Sequence, residues 1–222
     1  MKEYNNVPQL NSENNSYRKT SKIYPFNKRI IDIIGSTIGI IFLFWLFLII
    51  AIIIKMEDPK GPVIFKQKRI GKHGSEFNMY KFRSMVTNAE ELLKNLKSES
   101  DVTGAMFKMK HDPRVTRIGK FIRKTSIDEL PQLWNVLVGN MSLVGPRPPL
   151  EKEVMEYSEY DKTRLKVKPG CTGLWQISGR SNIGFKEMVE LDLKYINERN
   201  TLLDIKIIFR TIKVIFLSEG AY

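Results

Sequence analysis

The stretch IIGSTIGIIFLFWLFLIIAIII, Ile33–Ile54, contains no charged residue. As a helix rising about 1.5 Å per residue it is roughly 33 Å long, enough to cross a hydrocarbon core. A core helix of a water-soluble protein normally keeps a polar face, and this run has none. The segment is therefore read as membrane-embedded. Two topologies stay open. Lys28 and Arg29 precede the run, and Lys55 with Lys66, Lys68 and Arg69 follows it. Basic residues favour the cytoplasmic side of a bilayer. Crowded at both ends, they suit a re-entrant helix that enters and leaves by one face, whereas a simple span forces one flank outside. Asp32 stands i, i+3 from Arg29, a spacing at which the two can pair and reduce the cost of burying the carboxylate.

Outward from this run the chain divides in three. Residues 1–25, rich in Asn, Ser, Lys and Tyr without a period, read as a disordered tail and lack the layout of a signal peptide. Residues 26–56 form the membrane helix, re-entrant or spanning. Residues 57–222 form a cytosolic catalytic domain with interfacial helices. The fold class is mostly α with a small β-hairpin. Val63–Phe65 and Phe77–Phe82 are strand candidates bracketing Gly71-Lys72-His73-Gly74, a hairpin turn in preference to a phosphate loop. Helices are expected over 86–97, 129–138, 150–166 and 185–199, and loops over 98–112 and 169–184. The proline-rich stretch 145–149 is irregular. From Leu202 to Leu217, Lys206, Arg210 and Lys213 recur at helical spacing among apolar residues. That pattern fits either a core-packed helix or a basic amphipathic helix in the membrane interface, and the neighbouring hydrophobic run favours the interface.

Composition narrows the chemistry. Lys and Arg number 36 against 24 Asp and Glu, a formal net charge of +12. The excess is concentrated between Lys60 and Lys124, and it favours phosphorylated small molecules, anionic lipids or nucleic acid as partners. Cys171 is the single cysteine and only two histidines occur, which excludes internal disulfides, thiolate zinc sites and histidine-rich metal centres. Carboxylates and basic groups are left to carry any catalysis. Nucleic acid is disfavoured, because no recognised binding signature accompanies the basic residues and the hydrophobic run would have no purpose.

The sharpest local feature is Thr125-Ser126-Ile127-Asp128-Glu129-Leu130-Pro131-Gln132. Structurally it can be a capping box of Ser126 with Glu129, or Asp128 can be an N-cap. Chemically, a carboxylate beside a phosphate site can act as nucleophile and form an acyl phosphate. Two adjacent carboxylates can also hold Mg²⁺. Lys81 and Arg83 alternate on one face at the end of a strand candidate, Arg123 lies just upstream of the pair, and Arg147 stands between prolines that fix its backbone. An arginine so held can grip a phosphate with two parallel hydrogen bonds.

The ordered motifs resemble one family, the bacterial sugar transferases, or monotopic polyprenyl-phosphate phosphoglycosyl transferases. They run from Lys28-Arg29-x-x-Asp32 through Gly61–Gln67, Arg69-Ile70-Gly71, Tyr80–Met85 and Arg114–Gly119. Arg123-x-x-Ser126–Gln132, Asn140–Pro148, Lys168-Pro169-Gly170-x-Thr172–Gln176 and Leu191-Asp192-x-x-Tyr195 complete the set. The resemblance covers roughly Phe26 to Ser218. It implies a Mg²⁺-dependent enzyme at the cytoplasmic face of the bacterial plasma membrane, with Asp128 and Glu129 as catalytic and metal-binding pair. Asp128 would attack the phosphate next to the sugar of a UDP-sugar and release UMP. Polyprenyl (undecaprenyl) phosphate would then take the phosphosugar, which begins a capsule, exopolysaccharide or glycan chain. Arg123 and Arg147 would hold substrate phosphates, joined by Lys81 and Arg83 on the strength of their alternation, and anionic lipids would surround the protein. The family's hydrophobic helix is re-entrant and often broken by a Ser-Pro pair. Phe44-Trp45 stand at those positions here, so a straighter helix is expected. The competing readings are a transferase that moves the sugar alone and releases UDP, and a basic membrane anchor without activity. The anchor gives no role to Asp128, Glu129 or Arg147.

Overall fold

The computed structural model describes residues 21–96, 112–179 and 183–217. Most of the expected tail and the 98–112 loop, apart from Asp112, lie outside them. The hydrophobic run forms two helices, α1 (Tyr24–Phe42) and α2 (Phe44–Glu57), bent by 59° at Leu43. This corrects the expectation of one straighter helix over 26–56. No proline or glycine stands at the bend, and docking on both sides accounts for it. On α1, Asp32 accepts hydrogen bonds from Ser142 Oγ and from the Leu143 amide, both at 2.9 Å. Ser36 donates back to the Asp32 carbonyl at 2.6 Å, a bond type that tends to bend helices. On α2, Ile50 and Ile54 pack with Phe82 and Ile122 in one buried cluster, and Phe47 meets Phe82 edge-on at 5.5 Å. Each half thus follows the protein surface beneath it. The opposite side is bare: Ile34, Ile38, Ile41, Phe42, Trp45, Ile49 and Ile52 are all more than half exposed. An apolar patch of this extent is not left to water in a monomer. Among the described residues no single helix is long and apolar enough to cross a membrane, although the bent pair together has the length and composition.

The basic flank before the run is engaged by the protein itself, which its reading as a pair of membrane-flanking charges does not contain. Arg29 does not pair with Asp32. Its guanidinium donates to the Val136 and Leu137 carbonyls, each at 2.8 Å, at the end of α5 (Gln132–Val138). There it satisfies carbonyls that the helix leaves without partners. Lys28 reaches Asp204 and the Val144 carbonyl at 2.9 Å and the Tyr195 hydroxyl at 3.1 Å. These two charges hold α1 onto the domain.

The hairpin is as expected but longer, with β1 (Ile64–Ile70) antiparallel to β2 (Glu76–Phe82). Its turn is a single 3-10 turn with His73 in a left-handed conformation. α3 (Ala89–Leu96) and α4 (Arg117–Lys124) follow. The Glu57 carboxylate, at the end of α2, accepts from the Arg117 and Ile118 amides at 2.7 and 3.0 Å. A carboxylate there complements the free amides and partial positive charge of the helix start.

A second, two-stranded parallel sheet joins β3 (Ser142–Val144) to β4 (Gly170–Thr172). The sequence reading left β4 inside a loop. The backbones meet so closely that a Cβ on Gly170 would lie 2.1 Å from the Gly145 nitrogen, which only glycine permits. The helix expected over 150–166 is broken into α6 (Glu151–Met155), α7 (Glu159–Lys162) and a 3-10 turn. Ser158 starts α7 with a capping box of its own, ending the preceding helix. α8 (Phe185–Glu198) and α9 (Thr201–Leu217) close the chain. Val144, Val189, Leu193, Ile196 and Ile207 form the core beneath β3.

Candidate active site

After α4 the chain turns through Ser126, whose φ of 57° is left-handed, into the short 3-10 turn Ile127–Glu129 and then α5. A non-glycine residue in this conformation costs about 1–2 kcal/mol, and such strain gathers at functional sites. Neither capping reading holds. No side chain caps the 3-10 turn or α5, whose N-cap is Pro131, a residue without an amide hydrogen to satisfy. Asp128 is buried instead of serving as a cap.

Burial pushes the Asp128 carboxyl up to about 6. Lys81 from β2 and Arg123 from α4 oppose that rise, while Glu129 adds to it. Held ionised, the group carries about 3 kcal/mol of uncompensated desolvation, at about 1.4 kcal/mol per pKa unit. Lys81 Nζ lies 2.7 Å from Glu129 Oε1. The structure therefore brings Asp128, Glu129, Lys81 and Arg123 together from three elements. Were Asp128 an attacking carboxylate it would have to be ionised, and kcat/KM would fall about tenfold per pH unit below pH 6. Lys81→Met should move that limb upward, because the lysine favours the charged form. A limb near pH 4 in the unmodified protein would contradict this environment.

Arg147 sits on a strap with every neighbouring carbonyl engaged. Gly170 N donates to Pro146 O at 2.8 Å, Arg164 to Arg147 O at 3.5 Å, Arg69 to Pro148 O at 3.0 Å and Ile70 N to Pro149 O at 2.9 Å. The Arg147 guanidinium lies over the Trp175 ring, 6.0 Å from its centroid. Burial, and next the nearby Arg147, pushes Arg69 down to about 10, and Glu129 acts on the same group. Arg69 thus lies within electrostatic reach of both Arg147 and Glu129. Beneath the strap, Arg164 pairs with the buried Asp192 at 2.6 Å and donates to the Tyr157 hydroxyl at 2.9 Å.

Arg83 goes elsewhere. Its guanidinium, pressed against Gly61, donates to Asp58 Oδ2 and to the Asp58 carbonyl, both at 2.7 Å. It fastens the turn after α2 to the end of the hairpin. Strand alternation alone placed it beside Lys81; the strand ends at Phe82, so that alternation no longer governs Arg83. Sequence reasoning reads Arg69 only as a membrane-flanking charge and gives no role to Asn135, Arg164 or Trp175. Only motif membership could have singled out most of these, because each acts through a partner distant in the chain.

The Bacterial sugar transferase family model matches residues 23–218. The chain belongs to the bacterial sugar transferase family. Among relatives of this sugar transferase, the Galactosyl transferase CpsE of Streptococcus agalactiae is 53% identical over 195 residues, 87% of this chain and 43% of that protein. The Undecaprenyl-phosphate galactose phosphotransferase of Salmonella typhimurium is 43% identical over 96% of this chain and 44% of its own length. The Exopolysaccharide production protein ExoY of Rhizobium meliloti is 38% identical over 88% of each chain. This sugar transferase thus spans less than half of the first two relatives and most of the third.

Among the described residues no group of three or more His, Cys, Asp or Glu is placed to hold a metal ion. The Asp128–Glu129 pair fits a different mode. Mg²⁺ commonly takes one or two carboxylates and completes its shell with water and substrate phosphate.

Proposed function

We propose that this sugar transferase moves a sugar-1-phosphate from a UDP-sugar to polyprenyl phosphate, releasing UMP, with Asp128 as covalent nucleophile. The observation that carries the reading is a buried carboxylate flanked by Lys81 and Arg123. The names of the Salmonella relative and of the Aeromonas hydrophila UDP-N-acetylgalactosamine-undecaprenyl-phosphate N-acetylgalactosaminephosphotransferase, 41% identical over 209 residues, support the same donor and acceptor classes.

An Asp128 oxygen attacks the phosphorus bonded to the sugar. The bond from that phosphorus to the bridging oxygen breaks, and UMP leaves with the electron pair. A polyprenyl phosphate oxygen then attacks the same phosphorus, the acyl-phosphate bond breaks, and the Asp128 carboxylate is restored. Lys81 and Arg123 favour the ionised nucleophile, and Arg147 orients phosphate oxygens through its planar fork. Asp128 and Glu129 would hold Mg²⁺, which when bound neutralises the charge of the diphosphate.

The lipid acceptor places the site at a membrane surface, on the cytoplasmic side where nucleotide sugars are made. The bent α1–α2 pair suits a re-entrant element, since one face of each half is docked on the protein and the other is bare. α9 supports the same plane: Leu202, Ile205, Phe209 and Ile212 are exposed along one face beside the exposed Lys206, Arg210 and Lys213. Apolar anchors bordered by basic groups suit anionic headgroups. The polymer that the product starts would be a capsule, exopolysaccharide or other glycan, and ExoY by its name serves exopolysaccharide production.

The nucleotide product tests the reaction. With purified protein in lipid, Mg²⁺, polyprenyl phosphate and a panel of UDP-sugars, UMP should accumulate in step with lipid-linked phosphosugar. Release of UDP instead would mean transfer of the sugar alone.

A further inference from the structure

Asn135 has no exposed surface and lies on α5, two helical turns beyond Asp128. Its side chain makes two hydrogen bonds to the outer edge of the hairpin. Oδ1 accepts from the Tyr80 amide at 3.0 Å, and Nδ2 donates to the Asn78 carbonyl at 2.7 Å. In an antiparallel pair a residue's amide and carbonyl point to the same side, so these two groups face away from β1. A third strand would use the same two groups. Asn135 supplies one peptide-like amide in its place and covers an edge that would otherwise carry buried, unpaired polar groups.

Two such bonds fix how far α5 can slide along β2. The next residue of β2 is Lys81, which reaches Glu129 at 2.7 Å. Met79, on the same strand face as Lys81, packs on Val136 beside Asn135. A hydrophobic contact alone tolerates a shift of a few tenths of an ångström; a two-point amide contact does not.

We propose that Asn135 is a positioning residue for the transfer reaction: by pinning α5 to β2 it holds Lys81 against Glu129 beside the nucleophile Asp128. The inference rests on the phosphosugar-transfer reading above. Asn135 acts through Lys81, whose ammonium is bound to the Glu129 carboxylate at 2.7 Å.

The test is a double-mutant cycle in the full chain in lipid, with UMP release as readout and with thermal unfolding measured in parallel. Asn135→Ala should lower kcat about ten- to a hundredfold, as loss of a residue supporting a reactive group typically does. KM for the UDP-sugar should stay within about threefold, so that the loss falls on kcat. In the Lys81→Met background the same change should add little, because residues that act through one another are not additive. Asn135→Asp keeps the volume and the acceptor for Tyr80 but opposes an oxygen to the Asn78 carbonyl. It gives a second variant with the same expected non-additivity if the alanine protein does not fold. Full additivity in whichever variant folds, or a KM that rises in step with the fall in kcat, would overturn the inference and leave a packing role only. The Asp128→Asn control separates the two levels: activity surviving there removes the parent reading, whatever Asn135 does.

Discussion

Asp128→Asn should leave a folded protein whose turnover is reduced on the order of a thousandfold or more. An amide cannot form an acyl phosphate, so the loss follows from the chemistry of the nucleophile and not from damage to the fold. Stability points the opposite way. The carboxyl is pushed up to about 6 chiefly by burial, so above pH 6 the fold favours the neutral form over the one present. A neutral amide of the same shape removes that cost, and the melting temperature should be unchanged or higher. This combination separates the nucleophile from a cap. Asparagine caps helices as well as aspartate, so a capping role would leave activity intact. UMP release and thermal unfolding on one preparation read both quantities. Substantial turnover in the folded Asn variant would remove Asp128 as nucleophile.

The second large effect is on stability, at the place where α1 is fastened to the domain. Lys28, Tyr24, Tyr195 and Asp204 form one polar cluster. Asp204 accepts from Tyr195 at 2.7 Å, from Lys28 at 2.9 Å and from Tyr24 at 3.0 Å. Lys28→Met keeps the length of the side chain and removes its charge, leaving the buried Asp204 carboxylate with hydroxyl partners alone. Breaking such a pair from one side typically costs about 3–5 kcal/mol, and the partial exposure of Lys28 favours the lower end. At about 2–4 °C per kcal/mol for a chain of this size, the melting temperature in lipid should fall by roughly 6–12 °C. Asp204→Asn in the Lys28→Met background should recover part of the loss, because the stranded charge is gone. A Lys28→Met protein as stable as the parent would show that the cluster does not anchor α1.

What could be read from the sequence, and what could not, follows the range of the interactions. The hairpin was legible because alternation and a Gly-rich turn are local. The Asp128–Glu129 pair was legible as chemistry because its neighbours in the chain are basic, and the motif order carried the family. The bend at Leu43 was not, since no residue at the bend breaks a helix. It is imposed by Asp32 on β3 and by Ile50 and Ile54 on Phe82 and Ile122, all distant in sequence. β4 is three residues long and exists only because Gly145 and Gly170 let two backbones meet. Lys28 and Arg29 read as membrane-flanking charges because flanks are what composition shows. Their true partners, Asp204 and the end of α5, lie more than a hundred residues away. Arg83 was assigned to phosphate by alternation alone, and its bonds to Asp58 give it a fastening role that single-strand reasoning does not contain.

The measurement that bears most directly on the central claim is made without the acceptor. Purified protein in lipid, supplied with Mg²⁺ and a UDP-sugar labelled in the phosphate next to the sugar, should release UMP in a burst. The burst should approach one per active enzyme and then stop, because the acyl phosphate needs polyprenyl phosphate to turn over. The label should remain on the protein, map to the peptide that contains Asp128, vanish in Asp128→Asn and discharge when polyprenyl phosphate is added. Glu129→Gln should slow the burst without moving the label. UMP release that appears only when the lipid acceptor is present, with no protein-bound label in active enzyme, would contradict the account: transfer would then be direct, and Asp128 would not be its nucleophile.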